Sequence, residues 1–483
     1  MLTIKFRPTV PTPRLEIVWS SLIVALLAGC GGGEDTSSAN PVAAALQVNT
    51  PAQISQESAD DYNDNLNGLI TGATLKRWKD DWLNERPAGI TGKLVILQTT
   101  AGSAGAEYVA SADPNVYTYA VSSAEWTQTR SNGVVTTVSM VPDGPSMDAF
   151  LKKYAIDPAK DMIVCAMGGG GYSNAMQQGR CWYMFRYWGT PGSHLALLNG
   201  VNQLQIDNGD MTAADFAASA DTPPENGTAS VRDLPQDNTA LQATVEDMLD
   251  ILPSHDGNVV NDGVFIWDAR SLDQYSAGEE SEAGGPVADY MTTFQNNGSR
   301  QGHPRGALQL NYVNMLTTGY AYKPKTELAA YLAGEVDGGG KGFVDATYQS
   351  VGVGNAYRSG DVVYTYCETT FRAMITGMVS AVILGKPTRF YDGAMTEWNS
   401  LSYIDAWDGN PILPIDSPWR TDVVSFYKPA SSPTLVSPRQ VDDAYAASAD
   451  AIIYADRVYK LFGSSGGGSD GGGVSLPSNP CGG

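Results

Sequence analysis

The residue with the clearest chemical potential is Cys367, in the stretch Tyr364-Thr365-Tyr366-Cys367-Glu368-Thr369-Thr370-Phe371-Arg372. Asp361-Val362-Val363-Tyr364 before it, apolar and β-branched after the aspartate, has the pattern of a short buried strand. Residues 373–384 after it form a mostly apolar run of helix length, stopped by Gly385. This spacing predicts a cysteine at the point where a strand ends and a tight loop enters a helix. Backbone N–H groups at a helix start have no intrahelical partner, and the helix dipole adds positive potential. A thiolate placed there is a stabilised nucleophile, and an anion attached to it is stabilised too. Arg372, at the end of the Cys-x4-Arg loop, adds a permanent charge. A buried structural cysteine is the plain alternative, and it fits this placement poorly. The three histidines, His194, His255 and His303, are scattered without ligand spacing, so no metal site is expected.

The elements around this loop occur twice. Leu75, Trp78 and Trp82 mark one face of a helix, and residues 93–98 read as a strand. Leu241, Val245, Met248, Leu249 and Leu252 form a second helical stripe, followed by a strand over residues 264–268. Residues 162–167 parallel residues 362–367, and each is followed by a loop, a helix (180–189 in the first copy) and a strand (195–200 and 388–393). Strands alternating with helices predict an α/β fold of two tandem units, each a mainly parallel sheet with helices on both faces. The copies differ where chemistry would sit: Met167 takes the place of Cys367, and Gln98 that of Asp268. The loop Gly168-Gly169-Gly170-Gly171-Tyr172 has neither Gly-Lys-Ser/Thr nor dinucleotide-binding spacing, so it reads as a degenerate loop packed at the domain interface rather than a phosphate cradle.

Four segments carry a family resemblance. Residues 362–373, the cysteine loop, resemble the active-site loop of the rhodanese family of sulfurtransferases. Phe265-Ile266-Trp267-Asp268-Ala269-Arg270, Gly302-His303-Pro304-Arg305-Gly306-Ala307, and Tyr391-Asp392-Gly393 with Trp398 resemble three further family segments, in the right order. One departure is Thr370, where the family loop has glycine. The resemblance implies sulfur transfer from a small sulfur-containing anion (thiosulfate, polysulfide or persulfide) to a thiol or cyanide-like acceptor, through a persulfide on Cys367 and without a cofactor. It implies an active-site loop of Glu368, Thr369, Thr370, Phe371 and Arg372, with Asp268 and Arg270 supporting the strand end. Arg305 is a weaker candidate for anion contact, and His303 a packing residue. It also implies a first domain that has lost its nucleophile. Glu368, beside the thiol, brings negative charge that opposes a dianion such as thiosulfate. The alternative is a non-catalytic, membrane-anchored binding or assembly protein of the cell envelope that keeps the scaffold.

The chain has 483 residues, 42% hydrophobic and 9% aromatic, which are globular values sufficient for two to three domains. A net charge of −22 argues against nucleic-acid binding, which needs a basic surface. Lys5, Arg7 and Arg14 precede an apolar run over residues 17–28 that is too short to span a membrane. Its end, Leu26-Leu27-Ala28-Gly29-Cys30, resembles a bacterial lipobox, which implies a lipid on Cys30 and a cell-envelope location, with the outer membrane favoured. The expected organisation is a lipoprotein signal peptide (1–29), a flexible tether (30–65), a first, inactive rhodanese-like domain (66–203), a linker (204–229), a second, catalytic one with a C-terminal extension (230–463), and a disordered Gly/Ser tail (464–483). Residues 61–68 have the residue types of a calcium loop but lack its glycine and glutamate, and read as a polar loop. Cys165 and Cys181 read as buried apolar residues, and a disulfide among Cys165, Cys181 and Cys481 is permitted but not indicated.

Overall fold

The computed structural model describes residues 46–132, 136–254, 257–275, 303–400 and 450–463. Cys30, His255, the segment 401–449 and the tail from 464 lie outside the described residues. Among the described residues no helix is long and apolar enough to cross a membrane.

Two five-stranded sheets organise the molecule. The first contains β1 (Gly68–Ile70), β2 (Leu94–Gln98), β3 (Val116–Ala120), β4 (Met162–Ala166) and β5 (Leu195–Leu198), in the order β1-β5-β4-β2-β3. The second contains β6 (Gln242–Ala243), β7 (Val264–Asp268), β8 (Leu308–Gln309), β9 (Val362–Tyr366) and β10 (Thr388–Tyr391), in the order β6-β10-β9-β7-β8. Every pairing within both sheets is parallel, and the two orders are the same. Parallel strands need covered crossovers, and six helices matter here: α1 (Gly72–Asp80), α2 (Gly144–Tyr154), α3 (Tyr172–Tyr187), α4 (Phe371–Gly377), α5 (Ala394–Ser400) and α6 (Ala451–Phe462).

The strands are apolar on both faces because both faces are covered. In β2, Leu94 and Ile96 join Leu75, Trp78 and Trp82 on one side, while Val95 and Leu97 join the large central core on the other. In the second sheet Ile266, Tyr364 and Tyr366 face one way, and Phe265, Trp267 and Val363 face the same central core. That core is shared: it holds apolar residues of both sheets together with α3 and α4. The two helices approach closely at Gly179, where an added Cβ would stand 2.8 Å from the Met374 Cβ.

Several expectations are corrected. The stripe read from Leu241 to Leu252 is helical only over Val245–Asp250, since Thr239–Leu241 is a single 3-10 turn and Gln242–Ala243 is β6. The first-copy helix begins at Tyr172 rather than near Arg180, and its polar first turn hides it from apolar periodicity. Beyond α4, Met378–Ile383 winds on as a π-helix, beside Gly377, whose absent Cβ leaves room for the Phe390 ring.

The expected tether and linker are also structured where described. Gln47–Val48 pairs in parallel with Gln236–Asp237, and Pro51–Ile54 is a helical turn with a capping box at Thr50. Ser55 Oγ donates to Lys386 O (2.6 Å) and Ser58 Oγ to Val382 O (2.9 Å), so this segment is stitched onto the second sheet's side. Residues 204–229 run along the first sheet: Phe216–Ala217 pairs with Tyr108–Val109, and Asp215 meets Lys76 and Lys79 at 2.7 and 2.8 Å. Short polar segments satisfied by distant partners read as linkers because their partners are invisible locally. The helix α6 packs on the first half, with Asp456 held by Arg130 (2.7 Å) and the Tyr187 hydroxyl (2.7 Å).

Cys165 and Cys181 are joined in a disulfide linking β4 to α3, with both residues fully buried. Both positions look like core cysteines in sequence because they are core positions.

Candidate functional site

The site is built where β9 ends. Asp268 of β7 is in register with Tyr366 of β9, and Ala269 N donates to Tyr366 O at 3.0 Å. Cys367 is the next residue; it is a free cysteine, 1% exposed. The same register holds in the first sheet, where Gln98 pairs with Ala166 and the next residue is Met167. The sequence correspondence of Met167 with Cys367, and of Gln98 with Asp268, is therefore a structural one.

The loop after Cys367 is pinned by its carbonyls. Cys367 O accepts from Met395 N (3.1 Å), and Glu368 O accepts from Thr396 N (3.1 Å) and Thr396 Oγ1 (2.7 Å), all at the start of α5. In a planar trans peptide the N–H points opposite to the C=O. The N–H groups of Glu368 and Thr369 therefore face away from α5. Thr370 then takes the left-handed conformation, φ 65°, the geometry glycine would favour. Its hydroxyl donates to Tyr391 O (2.9 Å) and Asp392 O (3.0 Å), which holds a β-branched residue where it is intrinsically costly. The helix α4 makes its first bond from Met374 N to Thr370 O (3.1 Å), so the N–H groups of Phe371, Arg372 and Ala373 precede its ladder.

Beneath the loop lies a buried charged cluster. Asp268 accepts from Arg270 N (2.9 Å), Nε (2.9 Å) and Nη2 (2.6 Å), and from the Tyr366 hydroxyl (2.7 Å). Gln309 Nε2 donates to Arg270 O (2.6 Å), tying the neighbouring strand in. Burial, followed by the Asp268 charge, pushes the Tyr366 phenol well above its ordinary range. The Glu368 carboxylate is fully buried and lies 3.8 Å from the Arg270 guanidinium. Glu368 thus turns toward Arg270, a guanidinium it shares with Asp268.

Arg372 donates through Nη1 to Gln274 Oε1, while its buried Nη2 has no hydrogen-bond partner among the described residues. His303 is buried, with Nδ1 2.8 Å from Tyr275 O and its ring stacked on Tyr275 at 3.7 Å. Arg305 is half-exposed in the turn before β8, and no hydrogen bond or ion pair among the described residues brings it to the cysteine loop.

Two tyrosines escaped the sequence reading. Tyr312, half-buried, packs on the small cluster of Cys367, Ala269 and Ala373, and its N–H donates to Ala269 O (3.1 Å). Burial raises its phenol above the ordinary range; Arg372 opposes that shift, and Cys367 and Tyr172 add to it. Tyr172 comes from the glycine loop of the first half and meets Tyr312 edge-on at 5.4 Å and Tyr320 at 5.4 Å. No local pattern marks Tyr312, whereas Tyr172 is flagged only by following four glycines.

That glycine loop is closed on itself. Gly169 N donates to Thr100 Oγ1 (3.2 Å), and Asn174 Nδ2 caps Gly169 O (3.1 Å) and Gly170 O (2.9 Å). A Cβ on Gly170 would stand 2.8 Å from the Tyr320 ring of the second half. Gln98 bridges Thr100 O and Glu107 O, both at 2.7 Å, filling with a neutral amide the place where Asp268 holds Arg270.

No family model and no curated protein matches the chain. Solved structures similar to it include YnjE (15% identity over 67% of this chain and 65% of that chain, TM-score 0.41). They also include SseA from Escherichia coli, described as a 3-mercaptopyruvate sulfotransferase of "rhodanese" fold (16% identity, 68% and 98%, TM-score 0.41). Tum1 from Saccharomyces cerevisiae is a third (15% identity, 72% and 99%, TM-score 0.43). The chain spans less than two thirds of the length of YnjE. Similarities of this size carry no weight for mechanism, which rests on the geometry of this chain.

Proposed function

We propose that the protein is a rhodanese-like sulfurtransferase that moves a sulfane sulfur from a donor to a thiophilic acceptor through a persulfide on Cys367. The observation that carries this reading is the cysteine loop. A free cysteine at the end of a parallel strand is followed by a loop whose carbonyls are held by α5, with its N–H groups left facing the other way. Those N–H groups suit the terminal sulfur of a persulfide and any charge it carries. Cys367 Sγ attacks the outer sulfur of the donor, and the remainder leaves as an anion. Arg372 offers Nη2 to the anionic donor, and Asp268 with Arg270 keeps the strand end rigid. Met167 leaves the first half without a nucleophile, and its role is to wall the site through Tyr172. Residues 66–203 and 230–463 are proposed as the two units of a tandem duplication, and Cys30 as a lipid anchor holding the protein in the cell envelope, at the outer membrane.

A second reading, a non-catalytic binding protein on the same scaffold, is favoured by one observation: the thiol is 1% exposed. Intact mass after exposure to sulfane-sulfur donors, with cyanide or a thiol as acceptor, separates the two. Gain of one sulfur at Cys367, reversed by acceptor and absent in Cys367→Ser, supports the transferase. A folded protein left unmodified by every donor supports the binding reading. Labelling with a fatty acid tests the anchor, with incorporation expected in the wild type and none in Cys30→Ala.

A further inference from the structure

We propose that Tyr312, buttressed by Tyr172 of the catalytically silent half, gates Cys367 and restricts its donor to a soft, singly charged sulfane sulfur such as a hydropersulfide or hydropolysulfide, excluding thiosulfate. This deepens the sulfur-transfer reading and rests on it.

Three observations converge. Cys367 is 1% exposed, and among the apolar side chains packed on it Ala269 and Ala373 are fully buried while Tyr312 alone is half-exposed. The donor therefore meets the Tyr312 ring before the thiol. That ring is set by contacts from both halves: its backbone is tied to Ala269 O at 3.1 Å, and its edge rests on Tyr172 at 5.4 Å with an interplanar angle of 85°. Tyr172 is in turn held against Tyr320.

The charges at the site then choose the donor. Arg270 is already engaged by Asp268 and faces Glu368 at 3.8 Å. Arg372 shares its guanidinium with Gln274 and keeps one buried nitrogen, Nη2, to offer. A dianion stripped of water here finds, among the described residues, one half-committed cation to offset two charges, and uncompensated burial of charge is strongly unfavourable. A hydropersulfide is neutral or singly charged, loses little hydration, and gains sulfur–aromatic contact with the tyrosine ring. The step balances without another reagent. Cys367 thiolate attacks the outer sulfur of R–S–SH, the S–S bond of the donor breaks, R–S⁻ leaves with the bonding pair, and Cys367–S–SH keeps the donor's proton.

The test uses the full chain with glutathione persulfide and thiosulfate as donors, iodoacetamide as a size probe, and Tyr312→Ala, Tyr312→Phe and Tyr172→Ala as variants. Thermal melts confirm that each variant is folded. In the wild type, glutathione persulfide is expected to load Cys367 at least about tenfold faster than thiosulfate. Tyr312→Ala is expected to raise Cys367 alkylation roughly tenfold and to narrow the donor preference, Tyr312→Phe to behave as wild type, and Tyr172→Ala to fall between. Equal loading by thiosulfate in the wild type, or unchanged alkylation and preference in folded Tyr312→Ala, overturns the gate while leaving sulfur transfer standing. Failure of every donor to load any of the proteins sinks the sulfur-transfer reading and the donor choice with it.

Discussion

Arg180 of α3 and Asp392, one residue past β10, form a fully buried ion pair, Nη1 to Oδ1 2.5 Å and Nη2 to Oδ2 3.1 Å. The same aspartate accepts from Val141 N (2.7 Å), and its carbonyl accepts from the Thr370 hydroxyl. One pair thus connects the helix α3 of the first half, next to its disulfide, with the left-handed residue of the cysteine loop. Arg180→Leu leaves Asp392 buried without its counter-charge and is expected to cost about 3–5 kcal/mol in urea unfolding. A loss under about 1 kcal/mol would show that water replaces the guanidinium.

Thr370 combines backbone strain with two hydroxyl bonds, so substitutions separate them. Thr370→Ala keeps the φ of 65° and loses both bonds, and should destabilise by about 1–2 kcal/mol. Thr370→Gly loses the same bonds but relieves about 1 kcal/mol of left-handed strain, so it should lie near the wild type. If glycine is worse than alanine, strain is not what this position carries.

The Cys165–Cys181 bridge closes a span of 16 residues inside the core. Its removal in Cys165→Ala/Cys181→Ala is expected to cost about 3 kcal/mol, from the loop entropy returned to the unfolded chain. Because both cysteines are fully buried, mild thiol reductants should leave the bridge intact in the folded protein and cleave it in urea. Mass after alkylation reads both states. Equal cleavage with and without urea would contradict the burial.

Lys460 on α6 is 5% exposed and donates to the Trp188 carbonyl (3.0 Å) and that of Gln236. Burial pulls its ammonium down to about 8, from an ordinary 10.5, with Asp237 opposing. Between those values the unfolded chain binds more protons than the folded one, so stability rises with pH across the window and the full penalty is present below about 8. Relative to Lys460→Met, the wild type should gain roughly 1–2 kcal/mol between pH 7.5 and 9.5. A flat difference would mean that the lysine titrates normally.

Much of the site was legible because its signals are local. β-branched runs ending at Gln98, Asp268 and Tyr366 mark strands whose register places Met167 and Cys367 at equivalent ends. What sequence hid depends on distance in the chain. Glu368 looks like a charge beside a thiol until Arg270, two strands' worth of chain away, is seen to receive it. Cys165 and Cys181 look like ordinary core residues, and Tyr312 like any tyrosine. The segment at 47–58 reads as tether because Gln236, Val382 and Lys386, which satisfy it, lie far along the chain.

That last arrangement bears on biogenesis. Ser55 closes on Lys386 across 331 positions, and Tyr459 returns to Asp148 across 311. Residues 47–58 must wait for those later residues to emerge from the ribosome before their partners exist, and the first half receives α6 later still. Loop closure over such spans makes folding slow and exposes intermediates to aggregation. Completion of the fold should therefore wait until α6 has emerged, and a chain truncated before α6 should be degraded by proteases rather than persist as a stable smaller protein.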